Sequence, residues 1–179
     1  MNMLFGETEV VSFEQNNLKL KKQLLKIDLM QSLYAKTKKN SYIKRMHKIY
    51  TNLKNQIKQF HYETIKYITQ KYDKVYLPSF DSQKMIVNTT SLLKSITKRT
   101  LNTLSHYLFK QRLLSKCEGT TCQLEICNEA YTTKTCTACG NLNENIKGNK
   151  VYNCSKCSMS LNRDVNGARN IFLKYFCTL

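Results

Sequence analysis

The sequence of 179 residues predicts an α/β fold, with helices layered on a small sheet. Short apolar runs alternate along the chain with long amphipathic tracts, which is typical of this fold class. A cysteine-rich module interrupts the order near residues 131–160. Hydrophobic residues make up 41% of the chain, enough for a packed core. The length is enough for one domain, or for one domain that carries a small module.

The first elements are predicted to be a β-hairpin and a helix. Apolar runs at Met3–Phe5 and Val10–Val11 flank a turn at Gly6–Glu7. A lysine-rich helix follows, and residues 34–40 are predicted to be a polar break before the next helix.

The second helix has the clearest periodicity. Its apolar residues recur every three or four positions and form one stripe. The stripe consists of Ile43, Met46, Tyr50, Leu53, Ile57 and Phe60. Lysines such as Lys44, Lys54 and Lys58 lie off the stripe, on a face that either binds nucleic acid or is simply solvated.

The middle of the chain is predicted to contain a strand and one long helix. Residues 74–77 form the strand, which ends at Pro78, the only proline. One helix is predicted from residue 91 to residue 116, with Gly119 ending it.

A second strand and a last helix flank the cysteine module. In the strand Cys122–Cys127, Cys122, Leu124 and Ile126 are predicted to share one face. The last helix is predicted over Arg163–Tyr175. Its inner side is expected to consist of Ala168, Ile171, Phe172 and Tyr175.

The charge balance favours a polyanionic partner. The 29 Lys and Arg residues outnumber the 12 Asp and Glu residues, so the net charge is +17. Nucleic acid is the first candidate, and an ordinary metabolic enzyme is disfavoured but not excluded. No apolar run approaches the roughly 20 residues of a membrane helix, and no signal peptide is evident. We expect an intracellular protein, in a compartment that the sequence does not specify, with no membrane partner.

Eight cysteines are present, and four of them are spaced as metal ligands. Cys136 and Cys139 form one C-x-x-C pair, Cys154 and Cys157 form a second, and 14 residues separate the two pairs. This spacing predicts a closed, structural zinc site. Because no signal peptide is evident, the compartment is expected to be reducing, which disfavours disulfides. A fortuitous or redox pair of motifs is the alternative. The remaining thiols are predicted to be buried and free: Cys117, Cys122, Cys127 and Cys177.

Two carboxylates occupy positions suited to catalysis. Glu129 follows a predicted strand, and Asp164 opens the last helix. Such carboxylates can face each other across a sheet edge and bind Mg²⁺, as in phosphodiester cleavage. The alternative for Asp164 is a helix N-cap.

Several segments resemble a known family. Asn128–Gly140 resembles the entry to the zinc ribbon of TnpB-type proteins, and Asn162–Ile171 resembles their last RuvC motif. Ser105–Lys110 and Leu77–Phe80 are similar to the Fanzor-like branch. These proteins are RuvC-like nucleases of bacterial insertion sequences, with Fanzor relatives in eukaryotes and their large viruses.

The resemblance implies a partial RuvC (RNase H-like) fold with long helices and an inserted four-cysteine ribbon. The implied divisions are a RuvC-like part with helical segments over residues 1–128, the ribbon over 129–161, and a C-terminal RuvC helix over 162–179. The family cleaves DNA under RNA guidance, using Mg²⁺ and an Asp, Glu and Asp triad. Asp164 matches the last Asp, and Glu129 matches an alternative Glu found just before the ribbon in some relatives. Asp81 is a weaker substitute for that Glu.

The same comparison leaves the first catalytic Asp without a match, because nothing in residues 1–12 resembles its motif. We therefore expect a chain resembling the C-terminal part of a TnpB-like protein, and whether it is an enzyme stays open. The expected function is DNA binding in transposition and DNA recombination, by a protein of nuclease descent. DNA is the expected partner. Guide RNA and a separate chain supplying the N-terminal part are further candidates. A noncatalytic zinc-ribbon remnant that binds nucleic acid is the alternative.

Overall fold

The computed structural model describes residues 3–5, 10–12, 15–80, 94–144, 146 and 149–176, with side chains from residue 19 onward. The chain forms two compact units. The helical unit comprises residues 14–73 and 80–123, and the ribbon unit comprises residues 1–13, 74–79 and 124–179. The three-part division at residues 128 and 161 stays a prediction.

Long helices build the helical unit. In its described part they are α1 (Gln15–Thr37), α2 (Asn40–Lys71), α3 (Ser95–Leu104) and α4 (His106–Glu118). Helix α1 packs against α2 and α3, and α2 also packs against α4. The side chains buried between α1 and α2 are Leu20, Leu24, Ile27, Leu53 and Ile57. Arg99 of α3 binds Asp28 of α1, which adds an ion pair at the edge of this core.

The break between the first two helices is shorter than predicted. Residues 34–37 remain helical, and only Lys38 and Lys39 separate α1 from α2. Lys38 adopts a left-handed conformation (φ 55°), and its N–H binds the carbonyl of Tyr34 at 2.8 Å. A single left-handed residue therefore ends α1, where the polar composition had suggested a longer loop.

The apolar stripe of α2 is confirmed at its centre, where Leu53 and Ile57 are buried. Tyr50 lies on the same stripe but leaves about half of its surface exposed. The buried face continues beyond the predicted stripe through His61, Ile65 and Ile68. One face of α2 is therefore buried along the helix's C-terminal half, while residues such as Tyr62 and Lys66 stay exposed.

The prediction of one helix over residues 91–116 is wrong. Two helices, α3 and α4, meet at Ser105, which is left-handed with φ 50° and ψ 53°. At this junction the Leu104 carbonyl lies 3.0 Å from Nε2 of His61. Arg112 of α4 lies 2.8 Å from the other ring nitrogen of His61. A tertiary contact of this kind leaves no pattern in the spacing of apolar residues, so the sequence did not reveal the break. The end of the second helix at Gly119 agrees with the prediction.

The ribbon unit contains three strand pairs in the described part of the chain. The predicted hairpin is confirmed as β1 (Met3–Phe5) antiparallel to β2 (Val10–Ser12), and its turn lies outside the described residues. Strand β3 (Lys74–Pro78) pairs with β4 (Gln123–Cys127). The N–H of Gln123 binds Asp73 O at 2.7 Å and that of Ser79 binds Cys127 O at 2.8 Å, so these strands run parallel. The remaining elements are the antiparallel β5 (Val151–Asn153) and β6 (Ser160–Asn162), and helix α5 (Arg163–Phe176).

The predicted alternation in the second strand does not reach the strand's end. Cys122 precedes β4 and is buried, as predicted, but Ile126 is 37% exposed and Cys127 is buried instead. The α/β class with long helices and a four-cysteine ribbon is nevertheless confirmed. None of the described helices combines the length and apolar character that a membrane span requires.

Candidate metal centre

The first cysteine pair forms a tight knuckle. The N–H of Gly140 binds the Cys136 carbonyl at 2.9 Å, and the N–H of Cys136 binds the Asn141 carbonyl at 2.9 Å. Gly140 has a positive φ of 70°, which glycine adopts without strain. Gly140 therefore forms the tight turn that closes the first knuckle.

The second cysteine pair repeats this geometry with a different residue at the turn. The N–H of Ser158 binds the Cys154 carbonyl at 3.1 Å, and the N–H of Cys154 binds the Met159 carbonyl at 2.9 Å. Ser158 occupies the left-handed position with φ 57°. The two knuckles thus share one backbone conformation. Only the first has a glycine at the left-handed position, so only the first can be recognised from the sequence.

The two knuckles bring four thiols together. All four Sγ atoms lie within 4.8 Å of one another, and the Cys136–Cys157 and Cys139–Cys154 pairs are each 3.6 Å apart. A tetrahedral zinc ion with Zn–S bonds of about 2.3 Å requires S···S separations of about 3.8 Å. Backbone N–H groups of Cys157 and Lys156 lower the pKa of Cys154, whereas at Cys157 a backbone hydrogen bond with Met159 is outweighed by burial and the neighbouring thiols, which raise the pKa. The fit to a metal ion therefore rests on the positions of the four sulfur atoms. The donor set therefore fits a metal ion such as zinc.

A very small apolar core surrounds the thiols. Tyr152 is 1% exposed and lies against Cys136 and Cys154. Its hydroxyl lies within hydrogen-bonding distance of the Lys134 and Asn141 carbonyls, at 3.3 and 3.4 Å. A core of this size cannot order a ribbon by itself, so metal binding would supply much of its folding free energy.

The other thiols lie outside this group. Cys122 and Cys127 are buried and free, as predicted, while Cys117 is half-buried. Burial raises the pKa of Cys122 to about 11 and also raises that of Cys127, so both remain neutral thiols. Cys177 lies outside the described residues.

Helix α5 lies against the ribbon through a polar face. The predicted inner residues Ile171, Phe172 and Tyr175 are half-buried, and Tyr76 of β3 contacts the rings of the last two. The fully buried residues are Asn166, Gly167 and Asn170. Hydrophobic periodicity could not identify them, although two asparagines four residues apart must share a helix face.

The two candidate catalytic carboxylates belong to the ribbon unit. Asp164 is the second residue of α5 and is half-buried. The Oδ1 atom of Asn162 accepts the Asp164 N–H at 2.9 Å, so Asn162 caps the helix and the N-cap alternative for Asp164 is wrong. Glu129 is exposed, two residues beyond β4. Asp81 falls outside the described residues.

The four cysteines form the one cluster of three or more potential metal ligands among the described residues. Catalytic roles for Glu129 and Asp164, and a magnesium site between them, stay predictions.

The fold and the four-thiol site define a small α/β protein with a metal-ribbon module. Residues 106–171 match a family model described as the Cas12f1-like TNB domain. The chain is 31% identical over 153 residues to putative transposase A625R of Paramecium bursaria Chlorella virus 1. It is 33% identical over 158 residues to TnpB-like protein L79 of Acanthamoeba polyphaga mimivirus. These matches cover 86% and 84% of this chain but 34% and 30% of the relatives, so the chain spans about a third of their length.

A solved structure shares the fold. A Cas12f1 chain in a complex with sgRNA and target DNA superposes with a TM-score of 0.60, at 20% identity. The superposition covers 91% of this chain and 43% of that chain. The chain is thus similar in sequence to a TnpB-like protein and in fold to Cas12f1, and the resemblance seen in its motifs is confirmed.

Proposed function

We propose that the chain is a transposon-associated, DNA-binding protein of nuclease descent, in which a zinc ribbon supports part of a magnesium-dependent cleavage site. Similarity to TnpB-like proteins and to putative transposases supports the association with transposition and DNA recombination. The net charge of +17 supports a nucleic-acid partner.

One observation carries the proposal. Helix α5, whose second residue is Asp164, is hydrogen-bonded to the segment that contains Cys136. Cys136 is the first ligand of the four-thiol site. A closed four-thiolate site has no open position for substrate, so its chemical role is structural. In this position the ribbon supports an acidic residue instead of performing chemistry itself.

The acidic residues would hold the second metal. Carboxylate oxygens are the ligands that Mg²⁺ prefers, and both Glu129 and Asp164 retain some solvent access. When bound, Mg²⁺ would stabilise the charge that develops on a phosphodiester during hydrolysis. A third carboxylate would complete the set of ligands that Glu129 and Asp164 begin.

The surface of the ribbon suits a nucleic acid. Tyr131 is 66% exposed, and exposed lysines lie nearby in the ribbon sequence at Lys150 and Lys156. Aromatic rings can stack on bases while ammonium groups contact phosphates. DNA is the proposed target, and a guide RNA is a second proposed partner of the same chemistry.

A noncatalytic, nucleic-acid-binding remnant is the second candidate. The absence of any cluster of three acidic groups from the part of the chain that the structure describes favours it. In this case binding would survive the loss of Asp164 and would weaken steeply as salt rises.

The deciding experiment is cleavage of labelled single-stranded and duplex DNA by the zinc-loaded chain with Mg²⁺. Asp164→Ala and Glu129→Ala are compared with Glu144→Ala, which removes an exposed acidic residue elsewhere in the ribbon unit. Cleavage that both variants lose and the control retains supports a catalytic site. DNA binding without cleavage, equal in all variants, rejects that site and leaves the noncatalytic function.

A further inference from the structure

The buried face of α5 is polar, which is unusual for a helix of a small domain. Asn166 is fully buried and Asn170 nearly so, with Gly167 between them. Buried amide groups are costly unless their hydrogen bonds are made, so these side chains need specific partners. The partners lie in one short segment of the ribbon.

The side-chain amide of Asn166 accepts one hydrogen bond and donates another. Its Oδ1 atom accepts the Thr137 N–H at 3.1 Å, and its Nδ2 atom donates to the Thr135 carbonyl at 2.7 Å. The Nδ2 atom of Asn170 donates to the carbonyls of Thr132 and Thr135, at 2.8 and 2.7 Å. These four bonds engage backbone groups that precede Cys136, at Thr132 and Thr135, and one that follows it, at Thr137.

The segment 132–137 contains Cys136 and leads into the thiol site. Turns and the knuckle bind most of its other backbone groups, including the N–H groups of Thr132, Lys134 and Cys136. The two asparagines bind the carbonyls of Thr132 and Thr135 and the N–H of Thr137. The segment is therefore held from one side by the knuckle and from the other side by α5.

We propose that Asn166 and Asn170 are positioning residues that couple metal occupancy of the four-thiol site to the order of α5. Metal binding fixes Cys136 and with it the carbonyls of residues 132–135. Those carbonyls then hold α5, and Asp164 in its first turn is held with it. The importance for catalysis rests on the proposed function, but the coupling between metal site and helix does not.

The chemistry of the side chain explains why asparagine suits these positions. Only an amide of this length offers two donor hydrogens and an acceptor in one plane. An aspartate at position 170 would place acceptor oxygens against the Thr132 and Thr135 carbonyls and lose both bonds. An aspartate at position 166 would keep the acceptor for the Thr137 N–H and lose one bond.

Because coupling is reciprocal, the test measures both ends without DNA or Mg²⁺. For the full chain, chelation of zinc should lower hydrogen-exchange protection of α5 at least tenfold, while α2 serves as an internal reference. Asn170→Asp should bind zinc about tenfold more weakly, and exchange in its α5 should no longer respond to zinc. Asn166→Asp should show a smaller loss of both properties.

The matched control is Asn149→Asp, which introduces the same charge at an exposed position of the ribbon unit. It should behave like the wild type. If Asn170→Asp fails to fold with zinc present, Asn166→Asp provides the same comparison with one bond retained. The coupling is overturned if a folded aspartate variant binds zinc as tightly as the wild type and if zinc still protects its α5 from exchange to the wild-type extent. DNA cleavage is measured separately, so its absence would reject the proposed function and leave the coupling standing.

Discussion

A Cβ atom added to Gly167 would lie 3.0 Å from Cγ2 of Thr133, a contact so tight that the two groups would have to move apart by a few tenths of an ångström. Gly167 is buried within the helix, where glycine is otherwise unfavourable. The close approach accounts for its presence, since it lets the neighbouring asparagines reach the ribbon backbone.

This contact predicts a coupled pair of substitutions. Gly167→Ala gains about 1 kcal/mol of helix propensity, but the contact with Thr133 costs about 1–3 kcal/mol, so the variant should be destabilised. In the Thr133→Ser background the methyl group is gone, and Gly167→Ala should become neutral or stabilising. Urea unfolding of the four zinc-loaded proteins measures the interaction. Additive effects of the two substitutions would contradict the packing explanation.

The matching knuckles predict opposite responses at their turns. A Cβ added to Gly140 meets nothing within 4 Å, so Gly140→Ala tests backbone strain alone. It should cost about 1 kcal/mol, since left-handed conformations are unfavourable for alanine. Ser158→Gly should relieve similar strain, offset by chain entropy, and should not destabilise the ribbon. Thermal unfolding with saturating zinc compares both variants, and a stabilising Gly140→Ala would refute the assignment of strain.

Removal of the metal should expose the ribbon's core. Tyr152 is buried beside the thiols, so chelation should make it accessible and reduce its near-ultraviolet circular dichroism. Cys136→Ser should abolish tight binding of zinc, while Cys117→Ser should leave the stoichiometry at one ion per chain. Metal analysis after dialysis measures this difference. Equal zinc content in the two variants would argue against the four-thiol site.

The buried histidine of the helical unit predicts a pH dependence. Burial, with a smaller effect from Arg112, lowers the pKa of His61 from 6.5 to about 4. Between these values the unfolded chain binds a proton that the folded chain does not, so this contribution to stability is lost as pH falls from 6.5 to 4. Allowing for solvent screening, the loss should reach about 2 kcal/mol.

The pH effect is measured by comparing denaturation of the wild type and His61→Gln at several pH values. The variant should show a shallower decline in stability below pH 6.5. His47→Gln, which replaces an exposed histidine of the same helix, is the control and should follow the wild type. Parallel curves for the wild type and His61→Gln would exclude His61 as the source.

The features that the sequence predicted are those set by local spacing. The four thiols follow from two C-x-x-C pairs, and the ends of α5 follow from its periodicity and flanking residues. The break at Ser105 was missed because it accompanies contacts of His61 with Leu104 and Arg112. The polar face of α5 was missed for a similar reason. Its asparagines are buried by backbone partners about 30 residues or more away in sequence, which no hydrophobic pattern records.

The parallel pairing of β3 and β4 joins segments separated by the whole α3–α4 region. The ribbon unit also includes β1 near the start of the sequence and α5, which packs against it, near the end. During synthesis, residues 14–123 can therefore assemble the helical unit first, whereas the ribbon unit must await α5. Contacts this distant in sequence also form slowly, so β3 must wait for β4, and β1, although it pairs locally with β2, must wait longest for its contact with α5. The order of translation thus makes α5 the element that completes the ribbon unit.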